Sequence, residues 1–560
     1  MPSPTSSSVV FLLLTLAAGR PAVAQKTPVE RLDSLFAPYA FPTSPGCAVA
    51  ATMPGMPKLE KAYGMADLER AVPISTGTIF EAGSVSKQVT AAAVVLLAQR
   101  GKLSLDADVR KYLPEVPRFG GRKITLGQML SHTSGLRDWG VVAALQGWPR
   151  GSRGYTNEHV LDIVTHQEGL NFAPGDEWMY SNTNYNLAAI VVERVSGESL
   201  AEFTRREFFE PLGMRHTSWR DNYSRIVPGR ALAYDLAADT LRTAMPNEDA
   251  YGNGGLLTTV EDLLIWNDEL DSGKVGGRAL VDALQRETVL NDGKPAGYGQ
   301  GLFLGSWRGE REVWHTGATG GYRAFLARYP ARKASVALLC NVGTADPSRL
   351  GHGVAAILLG GGPSVAVRAT SPEAMTGQPG PPRVVVKEPL LDYYAGMYRE
   401  WGTREPLVVQ AGEGVLKVRG VTLEPVSPTE FRPPVGDVRL VFLPAADARG
   451  DGRPRALRIV ASDTTLFEPV APADLERLGD YAGVWYSREA EAGFVVELDS
   501  AQLVARQRPD SRWVLRPIYA DAFLGPLQSI WVFDRNARGE VVGLGIWAAR
   551  ARNNRLTRDR

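Results

Sequence analysis

The sequence has little cysteine and no excess of either charge. Only two cysteines, Cys47 and Cys340, occur in 560 residues, which excludes a disulfide-rich scaffold. Lysine and arginine number 62 against 61 acidic residues, so the formal net charge is +1. This balance gives no indication of a nucleic acid or an anionic membrane surface as partner. A hydrophobic share of 44% with 58 glycines and 38 prolines is typical of a folded, loop-rich globular protein.

Several motifs that mark other enzyme classes, including metal-dependent and nucleotide-binding enzymes, are also missing. Six histidines occur without the H-E-x-x-H spacing of zinc enzymes, and no cysteine supplements them. The G-x-S-x-G elbow of the α/β-hydrolases is absent. Residues 252–255 are rich in glycine but lack the G-K-[ST] of a phosphate-binding loop. We therefore expect neither a metal nor a cofactor.

No apolar segment is long enough to cross a bilayer. Residues 9–18 form an apolar run of signal-peptide length, and Ala22-Val23-Ala24 follows it as a small-residue cleavage pattern. We interpret residues 1–24 as a signal peptide, even though the first residues carry no lysine or arginine. The expected location is the periplasm or the medium, with no membrane span.

The most informative motif is Ser84-Val85-Ser86-Lys87, which precedes an apolar run that predicts a buried helix over residues 88–99. Residues three apart share one face of a helix, so the Lys87 amine can reach Ser84 Oγ. A serine hydroxyl needs such a base to act as a nucleophile. Partial burial lowers the pKa of the amine, and the helix N-terminus favours developing negative charge.

Two further motifs follow in order: Tyr180-Ser181-Asn182 in a polar turn, and His315-Thr316-Gly317-Ala318 on a predicted strand. S-x-x-K, Y-x-N and a basic-Thr-Gly strand form an arrangement that resembles the serine β-lactamases and penicillin-binding proteins. The Y-S-N and H-T-G forms resemble the class C β-lactamase and D-aminopeptidase branch. The resemblance covers residues 28–359 and extends to three connecting phrases, at 130–136, 209–214 and 253–256.

The resemblance implies an α/β fold of the β-lactamase/DD-peptidase type, in which helices flank an antiparallel sheet. Its first and last strands would lie side by side and bring Cys47 close to Cys340. We expect both cysteines to be buried, unbridged apolar residues, and a disulfide in an oxidising compartment is the alternative.

The resemblance also implies roles for the motif residues. Ser84 would form an acyl-enzyme, with Lys87 or Tyr180, or both, as the base. Tyr180 can act as base only if its pKa falls well below about 10, which a neighbouring lysine ammonium would cause. The backbone N–H groups of Ser84 and Ala318 would form the oxyanion hole. The substrate-binding residues would be Asn182, His315, Thr316 and Gly317. Asn182 would also form a hydrogen bond with Lys87, and the missing side chain of Gly317 would let the substrate approach the strand.

His315 departs from the usual pattern, because β-lactamases and DD-peptidases usually place a lysine there. A histidine is mostly neutral at pH 7 unless a partner raises its pKa. We therefore expect weaker recognition of a substrate carboxylate, which favours amides, esters or free-amine peptides as substrates.

A repeat occupies the C-terminal part of the chain. The segment around Tyr394, with Ala395-Gly396, returns around Tyr481, 87 positions later, with Ala482-Gly483. Short alternating segments separated by turn residues predict two small antiparallel β-barrels, which resemble the lipocalin-like barrels of some D-aminopeptidases. We interpret them as structural appendages, with restriction of the active site as the alternative. The expected divisions are a hydrolase domain (25–362), a linker (363–386) and two barrels (387–470 and 471–560).

These observations leave three functional hypotheses. The first is an exported serine hydrolase that acts on small peptides or amides, including D-amino acid compounds, with weak β-lactamase activity as a variant. The second is a carboxylesterase on the same scaffold. The third is a non-catalytic protein that binds cell-wall peptides, which the intact set Ser84, Lys87, Tyr180 and Asn182 disfavours. The sequence predicts no oligomeric state.

Overall fold

The structure is a computed structural model that describes residues 26–360, 386–435, 437–443, 456–461 and 464–559. The predicted signal peptide lies outside these residues, and so does the predicted linker except for its last residue. Within the described part of the chain, no helix combines the length and apolar character needed to cross a membrane.

A six-stranded antiparallel sheet forms the centre of the first domain. Its strands, in spatial order, are Phe303–Trp307, Glu310–Thr319, Tyr322–Tyr329, Ala334–Cys340, Cys47–Thr52 and Leu59–Tyr63. Side chains alternate between the two faces, so Ala48 and Ala50 pack against one helical layer and Val49 against another. Because helices cover both faces, the inner strands Cys47–Thr52 and Ala334–Cys340 are almost entirely apolar and buried. The predicted β-lactamase-like fold class is confirmed.

Helices and short strands complete this domain. Helix Ser86–Gln99 is buried on nearly all sides, which explains its run of alanine, valine and leucine. The other helices are Pro28–Phe36, Leu126–Leu130, Trp139–Leu145, Asn157–Thr165, Thr183–Ser196, Leu200–Thr204, Glu210–Leu212, Val260–Ser272, Gly277–Leu284 and Pro347–Leu358. The short strands are Met65–Asp67, Val72–Pro73, Phe80–Glu81, Ser218–Trp219, Tyr234–Ala237, Thr240–Thr243 and Leu256–Thr258.

The two cysteines form a disulfide, and the expectation of unbridged thiols is wrong. Cys47 and Cys340 face each other directly in the pairing of the first and last long strands, and both are fully buried. Their Cα atoms are 4.0 Å apart, somewhat closer than the roughly 4.5 Å of a non-hydrogen-bonded antiparallel pair. The resemblance predicted the neighbouring strands, but register decided whether the sulfur atoms meet.

Two closed barrels of eight antiparallel strands follow, after helix Glu388–Tyr394. The repeat marks equivalent elements, because Tyr394 and Tyr481 are both buried immediately before the first strand of their barrel. The first barrel comprises Gly396–Glu400, Pro406–Gly412, Val415–Val418, Val421–Pro425, Glu430–Arg432, Arg439–Leu443, Ala456–Val460 and Thr464–Val470. The second comprises Gly483–Ser487, Ala492–Asp499, Gln502–Gln507, Ser511–Tyr519, Ala522–Leu524, Ile530–Arg535, Val541–Ala548 and Ala551–Arg558.

The second barrel packs directly against the hydrolase domain. One continuous apolar cluster joins Trp139 and Tyr155 of the hydrolase domain to the interior of that barrel. Beside it, the Arg137 side chain forms an ion pair with Glu489 at 2.5 Å, and both groups are buried. Arg137 also donates to the backbone carbonyls of Arg552 and Asn553, each at 3.0 Å. Shared apolar burial and a fully bonded charge pair therefore fix the position of the barrel.

Replacing both cysteines by alanine should lower the free energy of unfolding by about 2–5 kcal/mol, because the disulfide restricts the unfolded chain. Urea denaturation of the Cys47→Ala/Cys340→Ala variant measures the loss. Adding reductant should not destabilise this variant further. Titration of the denatured, unreduced wild type should find no free thiol, and two free thiols would contradict the pairing.

Candidate active site

Ser84 lies in a single 3₁₀ turn, Gly83–Val85, that leads directly into helix Ser86–Gln99. The turn packs closely against the strand that carries His315. Gly83 has φ +50°, and a Cβ there would lie 2.7 Å from the backbone nitrogen of Ala318. Glycine is therefore required at this position, because a side chain would push the strand away from the serine.

The Lys87 amine is completely buried and contacts three groups. Its Nζ lies 3.1 Å from Ser84 Oγ, 3.0 Å from Asn182 Oδ1 and 2.5 Å from the backbone carbonyl of Asn253. A neutral amine donates two hydrogen bonds and accepts one. When Lys87 is neutral, donation to Asn182 and Asn253 leaves its lone pair directed at the Ser84 hydroxyl.

Burial sets the protonation of the two candidate bases in opposite directions. Desolvation lowers the pKa of Lys87 well below its usual range, and the charge of nearby Arg150 adds to this. Desolvation also raises the pKa of the Tyr180 phenol, which a hydrogen bond to Ser84 only partly opposes. The prediction that a neighbouring lysine ammonium lowers the pKa of Tyr180 is wrong, because desolvation of the phenol outweighs the influences that lower its pKa. The geometry favours Lys87 as proton acceptor and Tyr180 as a neutral phenol.

Asn182 is held in place by a residue that the sequence reasoning missed. The Asp138 carboxylate accepts hydrogen bonds from the backbone N–H of Asn182 at 2.8 Å and from its side-chain amide at 2.9 Å. These bonds turn Asn182 Oδ1 toward Lys87. Asp138 also caps helix Trp139–Leu145. The available signal was its position two residues after the L-S-H-T-S-G-L phrase.

His315 is buried at the back of the site as a neutral imidazole. Its Nδ1 lies 2.5 Å from the Thr316 carbonyl and its Nε2 lies 3.1 Å from the Tyr298 hydroxyl. These partners fit one N–H donor and one acceptor. Burial lowers the pKa of His315 to about 3, with the nearby Lys87 as a second cause. The strand motif therefore supplies no positive charge near neutral pH.

An open cavity of about 320 Å³ joins the predicted residues. Ser84, Tyr180, Asn182, His315, Thr316 and Ala318 all line it, and Lys87 lies behind Ser84. Gly317 is not among the described lining residues, because a Cβ there would lie 1.9 Å from the carbonyl oxygen of Ala82. The space that was predicted for substrate at Gly317 is occupied by the chain before the serine turn.

Two arginines line the same cavity and were not predicted. Arg150 comes from the loop after helix Trp139–Leu145, and Arg550 comes from the second barrel. Both lie in segments without a recognisable motif. The contribution of Arg550 depends on domain packing, which no local sequence pattern reports. The only described trio of groups spaced to hold a metal, Asp162, His166 and Glu491, is exposed and lies outside the lining of the cavity.

These features define a serine hydrolase site: a partly exposed hydroxyl, a buried amine of lowered pKa beside it, and a phenol facing both. The sequence model of the Beta-lactamase family matches residues 32–360, which is more than half of the chain. The chain belongs to the Beta-lactamase family.

Individual relatives agree with this membership. The chain is 30% identical over 303 residues to penicillin-binding protein 4* of Bacillus subtilis, with 50% of this chain and 64% of that protein covered. It is 29% identical to a D-aminopeptidase of Gluconobacter oxydans, of which 57% is covered. The match to a D-aminopeptidase of Cereibacter sphaeroides is 25% identical and spans 93% of this chain and 96% of that protein. The chain thus spans less than two thirds of the first two relatives and nearly all of the third.

Solved structures share the fold. The octameric penicillin-binding protein homologue from Pyrococcus abyssi is 22% identical, with a TM-score of 0.52 over 79% of this chain and 98% of that chain. The D-amino acid amidase from Ochrobactrum anthropi in complex with D-phenylalanine is 21% identical, with a TM-score of 0.51 over 59% of this chain and 97% of that chain. The part of this chain that aligns with the amidase is about as long as the hydrolase domain.

Replacing Ser84 by alanine should abolish hydrolysis and leave thermal unfolding nearly unchanged, because the side chain is partly exposed and makes only two hydrogen bonds, with Lys87 and Tyr180. Steady-state turnover and a melting curve of the same preparation measure the two effects. Hydrolysis that persists in the variant would rule out Ser84 as nucleophile.

The rate should fall as the pH drops through the lowered pKa of Lys87, because only the unprotonated amine can accept the Ser84 proton. The midpoint of this acid limb in kcat/KM should lie well below 10.5, the ordinary lysine value. Lys87→Arg, which remains charged, should lose about 10²–10⁴-fold in rate. Since the pKa of His315 is about 3, that residue cannot produce the limb. An unchanged profile in Lys87→Arg would exclude the amine as base.

Proposed function

We propose that this protein is an exported serine hydrolase that cleaves amide bonds in small peptides through an acyl-enzyme on Ser84. The observation that carries the proposal is the 3.1 Å contact between Ser84 Oγ and the buried Lys87 amine of lowered pKa. A structural lysine would not need to be buried beside a serine at the surface of a cleft.

The proposed reaction starts with transfer of the Ser84 proton to Lys87 Nζ as Oγ attacks the substrate carbonyl. The proposed oxyanion hole consists of the backbone N–H groups of Ser84 and Ala318, and both residues line the cavity. Collapse breaks the C–N bond, and the departing amine takes the phenol proton of Tyr180. The Lys87 ammonium then returns its proton to the tyrosinate. Water attacks the ester by the reverse path and releases the acid.

Amides containing D-amino acids are the proposed substrate class. The relative from Cereibacter sphaeroides, a D-aminopeptidase, matches this chain across the hydrolase domain and both barrels. A match over the whole chain supports a related substrate more strongly than one limited to the hydrolase domain. Slow acylation by penicillins is part of the proposal, because a β-lactam presents an amide carbonyl to the same nucleophile.

Two features support export. The apolar run at residues 9–18 precedes a small-residue cleavage pattern. The disulfide between Cys47 and Cys340 is of the kind that forms and persists in oxidising compartments. The proposed location is therefore the periplasm or the medium.

A panel of matched chromogenic substrates tests the proposal. D-amino acid p-nitroanilides should be hydrolysed about tenfold or more faster than their L counterparts, since one misplaced side chain costs 1–3 kcal/mol. Ser84→Ala serves as the control for each compound, and mass spectrometry after a fluorophosphonate probe should locate the adduct on Ser84. Turnover of p-nitrophenyl esters without any anilide would indicate a carboxylesterase instead.

A further inference from the structure

The tip of a hairpin in the second barrel enters the catalytic cleft. Strands Val541–Ala548 and Ala551–Arg558 form this hairpin, and Arg550 at its tip lines the cavity. The carbonyl oxygen of Arg550 accepts hydrogen bonds from the backbone N–H of Asp138 at 3.0 Å and from the side chain of Asn171 at 3.1 Å. The backbone of the tip is therefore fixed to the loop that also positions Asn182.

The Arg550 guanidinium lies over the Tyr180 ring, 5.8 Å from its centroid, and is partly exposed. Its ion-pair partner is Asp138, at 3.4 Å. The Asp138 carboxylate already accepts three hydrogen bonds, two from Asn182 and one from Gly140. Within the described part of the chain, the Arg550 side chain makes no hydrogen bond as short as those. Its planar N–H donors are available to a ligand in the cleft.

Arg150, in contrast, is already paired. Its Nε donates to Glu248 at 3.2 Å, and its Nη2 donates to the other oxygen of the same carboxylate. Burial raises the pKa of Glu248, but the charges of Arg150 and Arg220 lower it more. The pKa of Glu248 therefore lies below its ordinary value. This pair forms a rigid wall of the cleft.

The charges around the cleft do not balance. Four guanidinium groups face three carboxylates: Arg150, Arg220, Arg230 and Arg550 against Glu81, Glu248 and Asp138. None of the described residues that line the cavity is acidic. Arg550 pairs with Asp138 at 3.4 Å, and that carboxylate also accepts the three hydrogen bonds from Asn182 and Gly140, so Arg550 is paired less completely than Arg150.

We propose that the substrate carries a carboxylate and that Arg550 of the second barrel binds it. This inference rests on the proposed amide hydrolysis and narrows its substrates. A guanidinium matches a carboxylate with two parallel hydrogen bonds, and a cleft that has one loosely paired guanidinium and no acidic residue among its described lining favours such a ligand. The expectation of weak carboxylate recognition was based only on His315 of the H-T-G motif, which is neutral. Arg550 lies outside that motif.

Two substrate pairs place the carboxylate on either side of the scissile bond. D-alanyl-D-alanine against its C-terminal amide tests the leaving part, and D-glutamic acid p-nitroanilide against D-glutamine p-nitroanilide tests the acyl part. Each pair exchanges a carboxylate for a carboxamide of nearly equal shape. Binding is measured by calorimetry in the Ser84→Ala protein, so that turnover does not interfere.

In at least one pair the carboxylate should bind about tenfold more tightly, the range of a hydrogen bond to a charged group. Arg550→Gln in the same background should remove this preference, and Arg550→Lys should retain part of it. Arg538→Gln removes the same charge from an exposed turn at the opposite end of strand Val541–Ala548 and should keep the full preference. A melting curve establishes that each variant is folded.

Absence of a preference in both pairs, absence of binding, or a preference that survives Arg550→Gln would overturn the inference. Its failure is distinguishable from that of the proposed function. If the Ser84→Ala protein prefers carboxylates but the wild type cleaves no amide, the proposed amide hydrolysis fails and the carboxylate site remains. If the wild type cleaves amides but the Ser84→Ala protein shows no carboxylate preference, the carboxylate site fails and the proposed amide hydrolysis remains.

Discussion

The site depends on burying one amine beside one hydroxyl. Lys87 lies on the first turn of a helix that is enclosed on nearly all sides, so solvent cannot stabilise its charge. Three neighbours compensate for the lost water, and one of them is the Ser84 hydroxyl. Removing the amine from water costs desolvation free energy, which the hydrogen bonds to Asn182 and Asn253 partly offset. The same desolvation lowers the pKa of the amine and so favours the unprotonated form that the chemistry needs.

This constraint explains several glycines and polar residues around the serine turn. Gly83 and Gly317 allow the turn and the neighbouring strand to approach, since a Cβ at either position would meet backbone atoms below 3 Å. Asp138 fixes Asn182 with two hydrogen bonds, and Asn182 in turn fixes the amine. A chain of contacts thus extends from the helix cap at Asp138 to the nucleophile. Each member has one orientation because its remaining polar atoms are already bonded.

Sequence patterns predicted the parts of this arrangement that local rules determine. The S-x-x-K spacing places Ser84 and Lys87 on one helical face, and the period of the repeat marks equivalent residues in the two barrels. Three outcomes depended on packing that spacing does not encode. The sulfur atoms of Cys47 and Cys340 meet because of strand register, and the pKa of Tyr180 rises because burial outweighs its hydrogen bond to Ser84 and the nearby arginine charges. The position of Arg550 depends on how a separate domain docks.

The docking of the second barrel gives the cleft a charge that its own sheet does not provide. A cation at the His315 position would be buried beside Lys87, where each positive charge would disfavour the other. Arg550 reduces this conflict, because its side chain remains partly in contact with solvent, and its charge affects the pKa of Lys87 less than burial, Arg150 and Asp138 do. Its backbone is fixed by Asp138 and Asn171, while the buried pair of Arg137 and Glu489 secures the interface behind it. In the proposed role, a guanidinium placed in this way selects the charge of a ligand with only a small effect on the catalytic amine. The appended barrel is thus physically able to set specificity while burial remains the main influence on the pKa of Lys87.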